Sequence, residues 1–333
     1  MEPLGVAVVG LGWWGRTIVP LLRRNAKLKV VKGVDPAPAG GQFALSEKLP
    51  YEPSFENALK DPAVQAVILC TPHTQHTEQI IAAAEAKKHV FCEKPLSLSR
   101  ADVLRAVKAC NDNEVVLAVG HEKRFEPPVQ ALVRMAKAGE LGTLLQIEAN
   151  FSQDKFLSLT PDNWRMSERE APAGPMTATG IHLLDLSVAL LGPAERVYAT
   201  VRQLGSGLAN GDTLGILVNH KSGANSLISA VLATPFDGRF AVYGNEGWAE
   251  VRDKAHPEAP EGWTLTVAKR GSRPQSASYP AAKAVLANLE AFADAAAKRA
   301  PYPVPQGEMI ANVSALEAVF RSVKSGAVET VES

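Results

Sequence analysis

The segment that most constrains this chain is Gly10-Leu11-Gly12-Trp13-Trp14-Gly15. A GxGxxG pattern alone is weak, but its surroundings here are specific. It follows the continuous apolar run Val6-Ala7-Val8-Val9, as expected of a strand buried on both faces. It opens a helical pattern over Thr17 to Arg24, and Asp35 stands 20 residues after Gly15, at the end of the strand-like stretch Leu28 to Val34. In that context each glycine has a mechanical reason. Gly10 permits the tight turn, Gly12 admits a pyrophosphate to the backbone, and Gly15 allows close packing of helix on strand. The helix N-terminus then presents free N–H groups and the positive end of its dipole to the anion. The pattern predicts a dinucleotide site that includes Trp13 and Trp14.

Asp35 is expected to accept hydrogen bonds from an adenosine ribose. A carboxylate there repels a 2′-phosphate, and Pro36-Ala37-Pro38-Ala39 supplies no arginine, lysine or serine to hold one. NAD is therefore expected over NADP, with Arg16 the residue that keeps NADP possible.

Strand and helix patterns alternate through the first third. Ala66-Val67-Ile68-Leu69, His89 to Cys92 and Val115 to Val119 read as strands; Thr74 to Lys87 and Ser99 to Asn111 read as helices. This alternation predicts a parallel, doubly wound sheet with helices on both faces. After about residue 122 the grammar changes. A helix, Val129 to Ala138, precedes strand-like stretches at 143–152, 195–203, 211–219, 225–233, 239–243 and 263–268. Turns such as Asn210-Gly211 separate them, as in a largely antiparallel sheet. One helix, Ile181 to Leu191, lies among them, and two more, about 281–298 and 307–324, close the chain. The stretches 253–262 and 269–280 read as exposed loops. The expected domains are 1–122 and 123–333, with the last helices free to pack back on the first.

Composition narrows the partners. Of 333 residues, 46% are hydrophobic and 21% charged, enough for sizeable cores. Lys+Arg and Asp+Glu both number 35, so no global basic field draws nucleic acid or an anionic membrane surface. Cys70, Cys92 and Cys110 have no CxxC spacing, which argues against a disulfide framework and a cysteine zinc site. No His/Cys/Asp cluster has metal-ligand spacing, so no metal is expected. Without a long apolar run or a signal-like N-terminus, the chain reads as soluble and cytoplasmic.

Further motifs follow in order: Thr71-Pro72-His73-Thr74-Gln75-His76, Glu93-Lys94-Pro95, Gly120-His121-Glu122-Lys123-Arg124-Phe125, Trp164-Arg165 and Gly180-Ile181-His182-Leu183-Leu184-Asp185. With the glycine loop, this series resembles the Gfo/Idh/MocA family of glucose–fructose oxidoreductases, inositol dehydrogenases and sugar dehydrogenases, across essentially the whole chain. The resemblance implies an N-terminal Rossmann domain and a C-terminal α+β domain whose large, mainly antiparallel open sheet serves oligomer contacts, giving a homodimer or homotetramer. It implies nicotinamide and substrate in a cleft between the domains. It also implies that Thr71, Pro72, His73 and His76 border the cofactor riboses, that Arg124 lies near the nicotinamide, and that Trp164 and Arg165 reach over cofactor or substrate.

Hydride transfer from an alcohol needs a proton acceptor beside the reacting hydroxyl. Lys94, at the carboxyl end of a parallel strand, is the first candidate; beside an oxidised nicotinamide it would be pushed toward its neutral form. Glu93 is expected to support Lys94 or the cofactor. His182 is the second candidate, with Asp185 on the same helix face to hold its tautomer. Many relatives carry an aspartate four residues before that histidine, where this chain has Ala178. Asp185, Thr177 and Thr179 are candidate substitutes, and a substrate unlike a simple polyol is the other explanation. Lys155 and Arg169, on one irregular stretch, are candidate readers of a substrate carboxylate. The expected activity is NAD(P)-dependent oxidation of a secondary hydroxyl of a sugar, sugar acid or polyol. The competing readings are a lyase or glycosidase that uses tightly held NAD as a transient oxidant, and a nicotinamide-sensing protein without turnover.

Overall fold

The computed structural model describes residues 2–332. The chain divides into two compact units: residues up to 120 with 285–309, and 121–284 with the stretch from 310. The first unit runs β1 (Leu4–Val9), α1 (Trp13–Leu21), β2 (Leu28–Val34), α2 (Pro38–Ser46), β3 (Tyr51–Glu52), α3 (Phe55–Lys60), β4 (Ala66–Leu69), α4 (His76–Glu85), β5 (His89–Cys92), α5 (Arg100–Asp112) and β6 (Leu117–Val119). Its six strands are parallel in the order β3-β2-β1-β4-β5-β6. The direction of strand addition reverses between β1 and β4, so ligands are expected at the carboxyl ends of the strands around that point. Ser99 caps α5, its Oγ accepting from the Asp102 N–H at 3.2 Å.

Sequence patterning gives no counterpart for α2, β3 or α3. Helix α2 contains Gly40 and Gly41, each about 1 kcal/mol poorer in a helix than alanine. Gly40 is nevertheless required, because a Cβ there would lie 2.4 Å from the Asp35 Cβ. The feature that hides this helix is therefore what makes room for Asp35.

The second unit runs α6 (Pro127–Lys137), β7 (Leu144–Ser152), α7 (Ile181–Leu191), β8 (Ala194–Arg202), β9 (Thr213–His220), β10 (Asn225–Val231), β11 (Asp237–Gly244), β12 (Gly247–Asp253), β13 (Trp263–Lys269) and β14 (Gln275–Tyr279). The chain then returns to the first unit with α8 (Ala284–Ala296). α9 (Gln306–Ser325) and β15 (Glu329–Thr330) close it. The second sheet has nine strands in the order β14-β13-β12-β11-β7-β10-β9-β8-β15. Among the described residues only β7 and β10 are parallel neighbours, so the sheet is mainly antiparallel as expected.

Three strands of this sheet depart from expectation, among them β15, which lies beyond the last expected element. The stretch 269–280, expected as a loop, contains strand β14, and β12 has no counterpart among the expected strands. β14 is a largely exposed edge strand of sequence Gln-Ser-Ala-Ser-Tyr, held by its main chain to β13, so no apolar alternation marks it.

In the first unit Phe292 of α8 meets Phe91 of β5 edge-on, with ring centroids 5.8 Å apart. Burying such a ring stabilises by about 1.5–3 kcal/mol. Asn288 Nδ2 and Tyr302 Oη both donate to the Val119 carbonyl at 2.9 Å. In the second unit one core cluster joins Ile147, Val197, Ile216, Val218 and Ile228 of the sheet to Leu184 of α7 and Leu316 of α9. The sheet also exposes a short apolar row: Tyr198 pairs with Leu217, which pairs with Leu227, and all three are exposed. Among the described residues no helix is long and apolar enough to cross a membrane.

Candidate active site

The three glycines of the first loop sit in three different steric settings. Gly10 has φ +87°, and a Cβ on it would come within 2.8 Å of the Cys70 main chain. A Cβ on Gly15 would lie 2.0 Å from the Gly10 carbonyl oxygen. Gly12 caps α1, and a Cβ there would meet nothing within 4 Å. Turn and packing glycines thus flank one that faces open space at a helix N-terminus without a side-chain cap. That is the setting an anionic pyrophosphate requires. Trp13 and Trp14 open α1 just beyond it, and Trp14 packs partly buried against the core.

Asp35 follows β2. Its Oδ2 accepts from the Leu11 N–H at 2.7 Å and its Oδ1 from the Ala37 N–H at 2.8 Å. Each carboxylate oxygen keeps lone-pair capacity for a ribose hydroxyl. Arg16 is turned back onto this loop. Its Nε donates to the Leu11 carbonyl at 2.9 Å, an Nη to the Ala39 carbonyl at 3.1 Å, and its guanidinium lies over the Phe43 ring.

The next two motifs emerge from β4 and β5. Thr71 Oγ1 donates to Gln79 Oε1 at 2.5 Å. His76, fully buried, spans two loops: Nε2 lies 3.0 Å from the Thr71 carbonyl oxygen and Nδ1 2.7 Å from that of Pro95. It thereby ties the Thr71-Pro72 turn to the Glu93-Lys94-Pro95 turn. His73 is buried beside it, with ring centroids 5.8 Å apart. The Lys94–Pro95 peptide is cis. Glu93 is buried, its carboxylate accepts from the Lys94 N–H at 3.3 Å, and a Cβ on Gly120 would lie 2.6 Å from it. Gly10, Asp35, Thr71, Glu93 and Lys94 therefore all lie at the carboxyl ends of neighbouring parallel strands.

The second unit carries a separate buried polar cluster. Arg124 clamps Asp185, with Nε donating to Oδ2 at 2.6 Å and Nη2 to Oδ1 at 2.7 Å. Asp185 is 1% exposed, and His121 Nε2 lies 3.5 Å from its Oδ1. His182, one turn earlier on α7, is 3% exposed, and its Nδ1 lies 3.5 Å from Glu122 Oε2. The His121 and His182 rings meet edge-on at 5.9 Å. Asp185 and Arg124 are thus brought together. The carboxylate nearest the His182 Nδ1 is Glu122, which sequence reasoning places in the 120–125 motif without giving it a role. Its one signal is its place two residues before Arg124. Thr177 and Thr179 donate back to the Gly174 and Pro175 carbonyls, both at 3.3 Å.

Lys123 sits between Asp253 Oδ1 and Oδ2, both 3.1 Å, and Glu126 Oε1, 3.3 Å, and over the Phe151 ring. Burial works against its charge, but Asp253 and Glu126 outweigh that and hold the ammonium more firmly protonated than usual. Burial pushes Glu126 the other way, up to about 8, against the pull of Lys123. The segment that carries Glu122 and Arg124 is therefore anchored at Lys123 by Asp253 and at Arg124 by Asp185.

Trp164 and Arg165 form one short turn. The Arg165 guanidinium lies 4.2 Å over the Trp164 ring, and Asn210 Nδ2 holds the Arg165 carbonyl at 2.8 Å. Lys155 pairs with Glu258 at 2.7 Å, while Arg169 is largely exposed, 4.0 Å from Glu170. These two cations are engaged separately.

Two family models match the chain. One, described as an oxidoreductase family with an NAD-binding Rossmann fold, covers residues 4–121; the other, the Gfo/Idh/MocA C-terminal domain, covers 129–250. An uncharacterized oxidoreductase of Bacillus subtilis, YrbE, is 29% identical over 264 residues, 76% of this chain and 75% of the relative. The myo-inositol 2-dehydrogenase of Thermotoga maritima is 30% identical over 214 residues, 61% of this chain and 62% of the relative. Among solved structures, aldose-aldose oxidoreductase from Caulobacter crescentus, complexed with glycerol, superposes with a TM-score of 0.85. Its match covers 99% of this chain and 100% of that one at 22% identity. At that identity the likeness speaks for the fold.

Proposed function

The chain belongs to the Gfo/Idh/MocA family of oxidoreductases, with an NAD-binding Rossmann domain, and on that premise we propose that it oxidises a secondary hydroxyl of a sugar, sugar acid or polyol. The observation that carries this reading is the position of Lys94. It follows β5, on the same sheet end as the glycine loop and Asp35, and the buried Glu93 carboxylate accepts from its main-chain N–H. The glycine loop and the α1 N-terminus hold the pyrophosphate, Asp35 the adenosine ribose, and the Thr71-Pro72 turn the remaining ribose. Bound NAD supplies the hydride acceptor. Lys94 takes the hydroxyl proton, and His182 serves with it as acid and base. Arg124, committed to Asp185, supports the helix that carries His182. NAD is preferred to NADP because the Asp35 carboxylate meets the ribose edge and the Arg16 guanidinium is engaged by the Leu11 and Ala39 carbonyls.

The test is reduced-nicotinamide absorbance with myo-inositol, D-glucose, D-xylose and D-glucuronate, each with NAD and with NADP. The expected result is turnover on at least one of them, favouring NAD by about tenfold or more, the scale of a 1.4 kcal/mol contact. Confirmed NAD binding without net reduction on the whole panel would overturn the dehydrogenase reading in favour of internal redox chemistry or a sensor. Equal use of NADP would overturn the role of Asp35.

The same reading includes self-association. The exposed row Tyr198, Leu217 and Leu227 is apolar surface that a second copy of the chain would bury. Light scattering is expected to give a dimer or tetramer, and Leu217→Glu with Leu227→Glu to give a monomer. A monomeric unmodified protein, or an unchanged mass in the variant, would contradict it.

A further inference from the structure

The family resemblance implies an aspartate at position 178, four residues before His182, and this chain holds an alanine there. Of the three substitutes the sequence offers, Asp185 has both oxygens bonded by Arg124, and Thr177 and Thr179 donate to main-chain carbonyls. A neutral hydroxyl cannot replace a carboxylate as counter-charge. Glu122 is different. Its Oε2 stands 3.5 Å from the His182 Nδ1, and both residues are buried. The two come from different elements, the turn after β6 and helix α7, so their proximity is a tertiary contact with no trace in local spacing.

We infer that Glu122 is the carboxylate that positions His182, in place of the missing acid at 178. This rests on the dehydrogenase reading above and assigns a role within it. A carboxylate at Nδ1 keeps the proton there and leaves Nε2 as the atom that accepts and returns a proton. When Nε2 is protonated, the positive ring faces a negative charge in a site closed to water, where such pairing is strong. No bond other than N–H and O–H changes in this step. Glu122 acts through His182 and is a positioning residue. The charged and titratable groups near His182 include Glu122 and His121 from the turn after β6, Asp185 with its partner Arg124, and Lys123 and His256, which both meet the Phe151 ring that His182 also meets. Of these, Glu122 is the acid whose carboxylate comes within 3.5 Å of Nδ1.

The test is Glu122→Gln, which keeps shape and removes charge, in the full chain. Loss of the positioning acid is expected to lower kcat about 10–100-fold with KM little changed. The His182 imidazole, followed by NMR and assigned with His182→Gln, is expected to titrate at lower pH than in the unmodified protein. Adding Ala178→Asp to Glu122→Gln restores a carboxylate one turn from His182 and is expected to recover part of both losses. An unchanged His182 titration in Glu122→Gln overturns the proposal, as does an unchanged kcat. The NMR arm needs no turnover. If the unmodified protein reduces no NAD, the activity reading fails, while a His182 titration that still depends on Glu122 shows that the pairing stands.

Discussion

Lys94→Ala is expected to lower kcat by about 10²–10⁴-fold, the usual contribution of a positioned acid–base group. NAD affinity, read by fluorescence titration, is expected to stay within a few-fold. Geometry separates the two effects. The Lys94 main chain is held by the Glu93 carboxylate, and its loop is tied to the Thr71 turn through His76. Removing the side chain beyond Cβ leaves those contacts in place, so the cofactor turns keep their shape. Lys94→Arg is the sharper variant. A guanidinium keeps the positive charge but does not give up its proton in this pH range, so it fails as a base while still serving as an electrostatic contact. Turnover by Lys94→Arg near the unmodified rate would mean that the residue orients substrate and that the proton leaves by another route.

Much of the first unit is legible in the sequence because parallel strands buried on both faces announce themselves as apolar runs. Leu28–Val34, Ala66–Leu69 and His89–Cys92 appear with the bounds expected of them. α2 escapes because its glycines serve close approach, Gly40 to Asp35 and Gly41 to the Tyr51 ring, rather than the helix, and β14 because an exposed polar edge strand needs only main-chain pairing. The glycine loop is readable as a motif because each glycine answers a local steric demand. The cluster around His182 is not readable in the same way. Helical spacing puts Asp185 beside His182, and on α7 the two do share a face, but spacing carries no information about Arg124, which arrives from another element and takes the carboxylate. Glu122 is invisible for the same reason: it meets His182 across a long sequence separation. Local periodicity places side chains on faces, and tertiary packing decides which of them meet.

Arg124→Met is expected to destabilise the protein by about 3–5 kcal/mol, the cost of stripping one partner from a buried ion pair. Asp185 is 1% exposed, and both its oxygens are bonded by the same guanidinium. Without Arg124 it keeps His121 at 3.5 Å, which neutralises it only when that ring is protonated. Asp185→Asn is expected to cost less, since the amide oxygen still accepts from Arg124 and the uncompensated group is then a guanidinium that is itself only partly buried. Combining Arg124→Met with Asp185→Leu removes both charges and refills the space, and is expected to recover most of the loss. Thermal unfolding of the unmodified protein, Arg124→Met, Asp185→Leu and the double variant closes this cycle, with Asp185→Asn measured beside it. The resemblance assigns Arg124 to the nicotinamide, and the same variants decide between that role and the structural one. An unfolding midpoint unchanged by Arg124→Met, together with a large rise in the KM for NAD, would make it a cofactor contact. A large fall in stability with NAD affinity retained in the folded fraction would make it the residue that holds α7, and with it His182, in place.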